Sequence, residues 1–120
     1  MELEDIKRIL GAEVIAGTEL LLEDIKMACG SDLMSDVLSF AKSGSLLMTG
    51  LTNPQVVRTA DIVDLVTICF VRGKKPDRVT IEMAKSKNIL LLVTPLFMFE
   101  SCGRLYRKGL PGCSEYEKEH

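Results

Sequence analysis

Residues 45–95 read SLLMTGLTNPQVVRTADIVDLVTICFVRGKKPDRVTIEMAKSKNILLLVTP, and their pattern decides the fold class. Three apolar runs recur, at residues 45–49, 65–71 and 89–93. The middle run, LVTICFV, is continuous rather than alternating and rich in β-branched residues, as a strand buried on both faces requires. Helical signals lie between the runs. Asn53 supplies an N-cap and Pro54 a first helical residue. Val56, Val57, Ala60 and Val63 then follow at helical spacing. Pro76 and Asp77 open a second helix, with Val79, Met83 and Ala84 expected to face inward. Thr94 and Pro95 repeat the cap-then-proline start. The third helix is expected to run to about Lys108 and to end at Gly109, Pro111 and Gly112. Strand–helix–strand connections of this length favour parallel pairing with right-handed crossovers. Parallel strands need cover on both faces. The expectation is an α/β three-layer α/β/α sandwich with a mostly parallel sheet.

Outward from that stretch the signals weaken. Leu3, Ile6, Ile9 and Leu10 share one helical face, and Gly11 stops the helix. Val14 and Ile15 read as a short strand closed by Gly17. Residues 25–29 are a strand candidate of mixed polarity. Val37, Leu38 and Ala41 mark a helix begun near Ser31 or Asp32 and ended by Gly44. The order of strands in this N-terminal third is not legible. Residues 1–112 are expected to form one domain, and residues 113–120 a polar, frayed C-terminal tail.

The 120 residues fit a single domain. A chain of this size buries roughly two-thirds of the surface it exposes when unfolded, so no staple is needed. A net charge of −2 and a pI of about 5.4 argue against a dedicated nucleic-acid binder. Cys29, Cys69, Cys102 and Cys113 form no CxxC pair, and the only histidine is His120. No zinc-ligand spacing can be written from them, and no disulfide is expected. The N-terminal MELEDIKRIL has no apolar signal core, and Pro95 interrupts the most apolar stretch, residues 89–99. No membrane span is expected, and the localisation expected is cytoplasmic.

Open parallel sheets bind ligands outside the carboxyl ends of their strands. Those ends hold Ser31 and Asp32, then Thr49, Gly50, Thr52 and Asn53, then Arg72. These seven residues are the candidate ligand site. Hydroxyl and amide groups would supply hydrogen bonds, Gly50 would admit a close approach, and Arg72 would supply charge for an anion. Cap and turn residues recur at any helix start, so the same types also serve plain structural ends. Arg72, Lys74, Lys75 and Arg78 make the densest basic cluster. Asp32 and Asp36 lie one helical turn apart, a spacing that suits a helix start as well as a metal, and no metal site is assigned. Phe97, Phe99, Leu105 and Tyr106 crowd the last helix and are candidate interface residues. There is no GxxxxGK[ST] loop, no GxGxxG turn, no GxSxG elbow and no internal histidine. No catalytic residue and no cofactor are assigned.

The run GSDLMSDVLSFAKSGSLLMTGLTNPQVVRTADIVDLVTICFVRGKKPD, residues 30–77, and the later PLFMFESCGRLY, residues 95–106, resemble the DRTGG domain. The resemblance spans most of the chain, to about Leu110, and the order of elements carries it. It implies a fold similar to the N-terminal domain of HPr kinase/phosphorylase, and through it to nucleotide-holding Mur ligase domains. It also implies a regulatory or association module, often dimeric, of the kind found in some phosphate acetyltransferases and in pyrophosphatases with CBS domains. Kinase chemistry in that lineage belongs to a separate phosphate-loop domain, so no catalytic residue is carried over.

Two functions follow as expectations. One is a non-catalytic, homodimeric, ligand-sensing module that takes a nucleotide or other phosphorylated small molecule at the carboxyl edge of the sheet. The other is a protein-interaction subunit of a larger enzyme, with no ligand of its own.

Overall fold

The structure, a computed structural model, describes residues 1–119; His120 lies outside them. Eleven regular elements alternate along the chain. They are α1 (Leu3–Leu10), β1 (Glu13–Ala16), β2 (Ala28–Gly30), α2 (Met34–Phe40), β3 (Leu46–Thr49), α3 (Pro54–Ile62), β4 (Thr67–Phe70), α4 (Arg78–Ser86), β5 (Leu90–Val93), α5 (Met98–Arg107) and α6 (Cys113–Glu119). A single 3₁₀ turn, Thr18–Leu20, follows β1.

The sheet order is β1-β5-β4-β3-β2. Strands β2 to β5 are parallel, and β1 joins antiparallel to β5. The parallel strands are laid down in chain order without reversal. Right-handed crossovers in one direction place their helices on one face. Accordingly α2, α3 and α4 bury Met34, Val37, Val56, Val57, Ala60 and Ala84 against Leu47, Ile68, Phe70 and Leu91. The opposite face is left to segments outside the crossover run. There α1 and α5 bring Leu3, Ile6, Leu10 and Leu105 onto Leu46, Met48, Cys69, Leu90 and Leu92. The expected three-layer α/β/α arrangement is the one observed. All four residues of each of β3, β4 and β5 are buried, which is why these runs carry no polar alternation.

Several local readings change. Val79 is 62% exposed and Thr80 faces inward in its place, while Ala84 is buried and Met83 partly buried as expected. Leu38 is exposed, and α2 ends at Ala41 in extended backbone, before Gly44. The strand read at residues 25–29 shrinks to Ala28–Gly30, while Ile25 and Met27 are buried from the connection before it. Pro95 does not open α5. The Thr94 hydroxyl donates to the Leu10 carbonyl at 2.7 Å and accepts from the Leu96 N–H at 3.2 Å, so the helix starts only at Met98. The expected frayed tail is helical: Cys113 is buried, and Tyr106 donates to Glu115 Oε1 at 2.6 Å.

Candidate functional site

Parallel order without reversal means that no pair of diverging crossover helices opens a crevice at the carboxyl edge. Loops must build any site there. The loop after β2 carries Asp32, whose Oδ1 accepts from the Gly50 N–H at 2.6 Å and from the Thr49 hydroxyl at 3.0 Å. Asp32 therefore does not cap α2. Leu33 holds the cap position, with its N–H bonded to Ser31 Oγ at 3.0 Å. A short bond from a backbone N–H to a carboxylate is of the strong, charge-assisted kind. It ties the β2 loop to the β3 loop.

Arg72 completes the cluster. It sits at φ +62°, with Gly73 at +68°, a left-handed pair that costs a non-glycine residue about 1 kcal/mol or more. The pair is held because the Arg72 N–H bonds the Leu96 carbonyl and the Gly73 N–H bonds the Thr94 carbonyl, both at 2.8 Å. This conformation brings the guanidinium over Gly50. A Cβ on Gly50 would lie 2.9 Å from Arg72 Nη2 and 3.4 Å from Asp32 Oδ2. Gly50 is thus needed for close approach, and Asp32, Thr49, Gly50 and Arg72 converge on one spot.

The remaining predicted residues divide. Ser31 stays beside Asp32 as the acceptor that shapes the turn. Thr52 supplies its carbonyl to the buried Thr80 hydroxyl at 3.2 Å, which fastens α4 to the β3–α3 loop. Asn53 is exposed at the start of α3 and makes no side-chain cap bond, so the predicted cap is absent; Pro54 has no N–H to satisfy, and the Val56 N–H bonds the Asn53 carbonyl at 3.2 Å. At α4 the Asp77 carboxylate does cap, accepting from the Thr80 N–H and hydroxyl at 2.9 and 2.7 Å. Those bonds hold its pKa below the usual carboxylate value. Lys75 turns aside from the crevice to Glu13, at 3.4 Å. Among the described residues no group of three or more His, Cys, Asp or Glu could hold a metal ion.

A second site was missed. A cleft of about 470 Å³ lies between α5, β2 and residues 110–112. Its walls include Met48, Met98, Cys102, Tyr106 and Leu110, and they are mostly apolar. Its wall is tight at Gly30: a Cβ there would meet Cys102 Sγ at 2.9 Å and Met98 Sδ at 3.2 Å, so glycine lets α5 lie this close to the end of β2. The lone glycine at the end of a weak strand was the available signal. Phe99, 86% exposed, stands at the mouth, and Phe97 and Tyr106 are exposed on the same helix. Leu105 does not belong with them. It is 2% exposed and packs within the chain's own core, so the interface assignment fails for that residue.

Comparison with known proteins bears on the fold. No family profile matches the chain, and no curated protein matches it. A solved structure does: the CBS and DRTGG domains of the regulatory region of Clostridium perfringens pyrophosphatase, complexed with activator, diadenosine tetraphosphate. The match has a TM-score of 0.73 at 22% identity and covers 92% of this chain. The fold is DRTGG-like. The chain spans 47% of the length of the pyrophosphatase fragment, so that fragment holds at least as much again beyond this fold. Among the described residues no helix is long and apolar enough to cross a membrane.

Proposed function

We propose that this chain is a non-catalytic regulatory module that senses a nucleotide-like anion at the carboxyl edge of its sheet. The convergence of Asp32, Thr49, Gly50 and Arg72 carries the reading. Arg72 is held in an unfavourable backbone conformation over a glycine that any side chain would crowd, and strain of this kind gathers at ligand clamps. The Asp32 carboxylate already takes the Gly50 N–H, so a phosphate does not enter there. It approaches Arg72 from the solvent side, while Asp32 is placed to accept from a sugar or base. The regulatory region to which the fold is similar was solved with a nucleotide activator, which supports a ligand of that class.

The module pairs with a second copy through the exposed aromatics of α5. Phe99 and Tyr106 border the apolar cleft, and Phe97 is exposed at the N-cap of the same helix; exposed aromatics of this kind mark an interaction surface. The same observation favours the second reading, in which this face docks a larger enzyme and no small ligand is bound.

A thermal-shift screen with ATP, ADP and diadenosine tetraphosphate, read beside light scattering, tests both. Sensing predicts a raised melting temperature with at least one nucleotide, abolished in Arg72→Gly. No stabilisation by any of them, together with a monomeric mass, contradicts both the ligand and the pairing.

A further inference from the structure

Cys29 and Cys113 stand far apart in the sequence, and the fold brings the backbones beside them together. An isolated parallel bridge joins Ala28 to Gly112, with the Ala28 N–H bonded to the Pro111 carbonyl at 3.0 Å. The next residue on each side is a cysteine. Paired chains run about 4.8 Å apart, inside the Cα separation of roughly 4.4–6.8 Å that a disulfide spans. Both thiols are free, and each bears on the ionisation of the other. Cys113 is buried and Cys29 half-buried, and Cys29 borders a cleft of about 210 Å³ beneath α2, through which a small disulfide would reach the pair.

The surroundings treat the two sulfurs differently. The Cys29 thiol, Lys42 and Ser45 all face Cys113 Sγ. The hydrogen bond from Cys29 comes first, followed by the Lys42 N–H, the Ser45 hydroxyl and the Lys42 charge. Against the opposing effect of burial, they bring Cys113 down to about 6. Cys29, the donor in that bond, is pushed up by it, by burial and by the nearby Cys113 and Cys102. Thiolate character of this kind separates a reactive cysteine from an inert one. Burial pushes both Cys69 and Cys102 up, and at Cys69 it outweighs the bond from the Thr94 backbone.

We infer that Cys113 and Cys29 form a thiol–disulfide exchange site for low-molecular-weight disulfides, which closes a reversible bridge stapling α6 to the edge of the sheet. The Cys113 thiolate attacks one sulfur of R–S–S–R, forming Cys113–S–S–R and releasing R–S⁻. Cys29 then gives up its proton and attacks Cys113 Sγ, expelling a second R–S⁻. Two protein thiols are oxidised by two electrons, and the small disulfide is reduced to two thiols. The proton from Cys29 leaves on the second of them. The bridge fixes residues 110–113, of which 110–112 wall the apolar cleft, so the oxidised form holds that cleft in one shape.

The test uses the full reduced chain and oxidised glutathione near neutral pH, read by intact mass and peptide mapping. Wild type loses two hydrogens without a lasting adduct. Cys29→Ser stops at a single glutathione adduct on Cys113. Cys113→Ser forms no bridge, and its remaining thiols react about tenfold slower or less. Iodoacetamide on folded wild type, mapped by peptide, keeps the idea falsifiable if a variant does not fold: Cys113 reaches half its maximal rate near pH 6. A wild type that stays reduced when folded yet oxidises in urea overturns the inference. So does an adduct on Cys102 in place of Cys113, or a Cys113 that alkylates only as an ordinary thiol does.

Discussion

The carboxyl edge of the sheet and the flank of β2 hold the two candidate sites, and they are built on opposite plans. At the carboxyl edge four loops are laced by polar bonds: Asp32 to Gly50 and Thr49, Arg72 to Leu96, and Thr80 to Thr52. On the flank, the apolar side of α5 packs closely over Gly30 and leaves an apolar cleft beside it. The first region is held by directional bonds around a strained cation. The second is held by the core beneath it. Polar loops can therefore lose affinity without unfolding, whereas the floor of the cleft cannot be altered without cost to the whole domain.

The largest effect is expected beneath the cleft. Leu105→Ala removes a buried side chain shared by the cleft and the α1–α5 core, and should cost about 2–5 kcal/mol in urea unfolding. Phe99→Ala, a few residues away but 86% exposed, should stay within about 0.5 kcal/mol and instead reduce self-association in sedimentation velocity. Equal losses from the two would erase the distinction between core and face.

Next comes the lacing of the edge. Asp32→Ala leaves the Gly50 N–H and Thr49 hydroxyl without their acceptor, and should cost about 1–3 kcal/mol by the same measurement. Gly50→Ala is milder. The clash falls on the end of the flexible Arg72 side chain, so stability should drop by less than about 1 kcal/mol while nucleotide affinity falls. A Gly50→Ala protein that binds as wild type does would remove Arg72 from the proposed site.

The smallest effect is a pH dependence at the wall of the edge. The Asp77 carboxyl titrates lower in the folded chain than in the unfolded one, because Thr80 donates to it twice. Its cap is fully present above the unfolded value, near 4, and is lost as the pH falls through the lower folded value. Asp77→Asn should therefore flatten the acid limb of the stability curve. A limb identical to wild type would place the acid sensitivity elsewhere.

The same contrast explains what the sequence disclosed. Strands β3, β4 and β5 and the helices between them were legible because burial on both faces writes uninterrupted apolar runs. Asp32, Thr49, Gly50 and Arg72 were legible as types at strand ends. Their roles were not, because Asp32 reads as a helix cap until Gly50 is seen to capture it. Thr94 misled similarly: its hydroxyl serves Leu10, 84 positions away, and α5 starts late. Val79 sits at helical spacing yet faces solvent, since two neighbouring rows were equally apolar and Thr80 was drawn inward by its bonds to Asp77 and Thr52. The cleft and the Cys29–Cys113 pair are products of tertiary juxtaposition. A three-residue strand and a helix read as a tail gave them no periodicity to announce.

The most direct test of the account is an amide chemical-shift titration with diadenosine tetraphosphate, carried out on wild type and on Arg72→Gly. Glycine relieves the left-handed backbone, so the variant stays folded and its loss of binding is not a loss of structure. The account predicts shifts concentrated at residues 31–32, 49–53 and 72–73, with affinity reduced by at least about tenfold in the variant. Shifts confined to α5 and β2, or equal affinity in the two proteins, would contradict it.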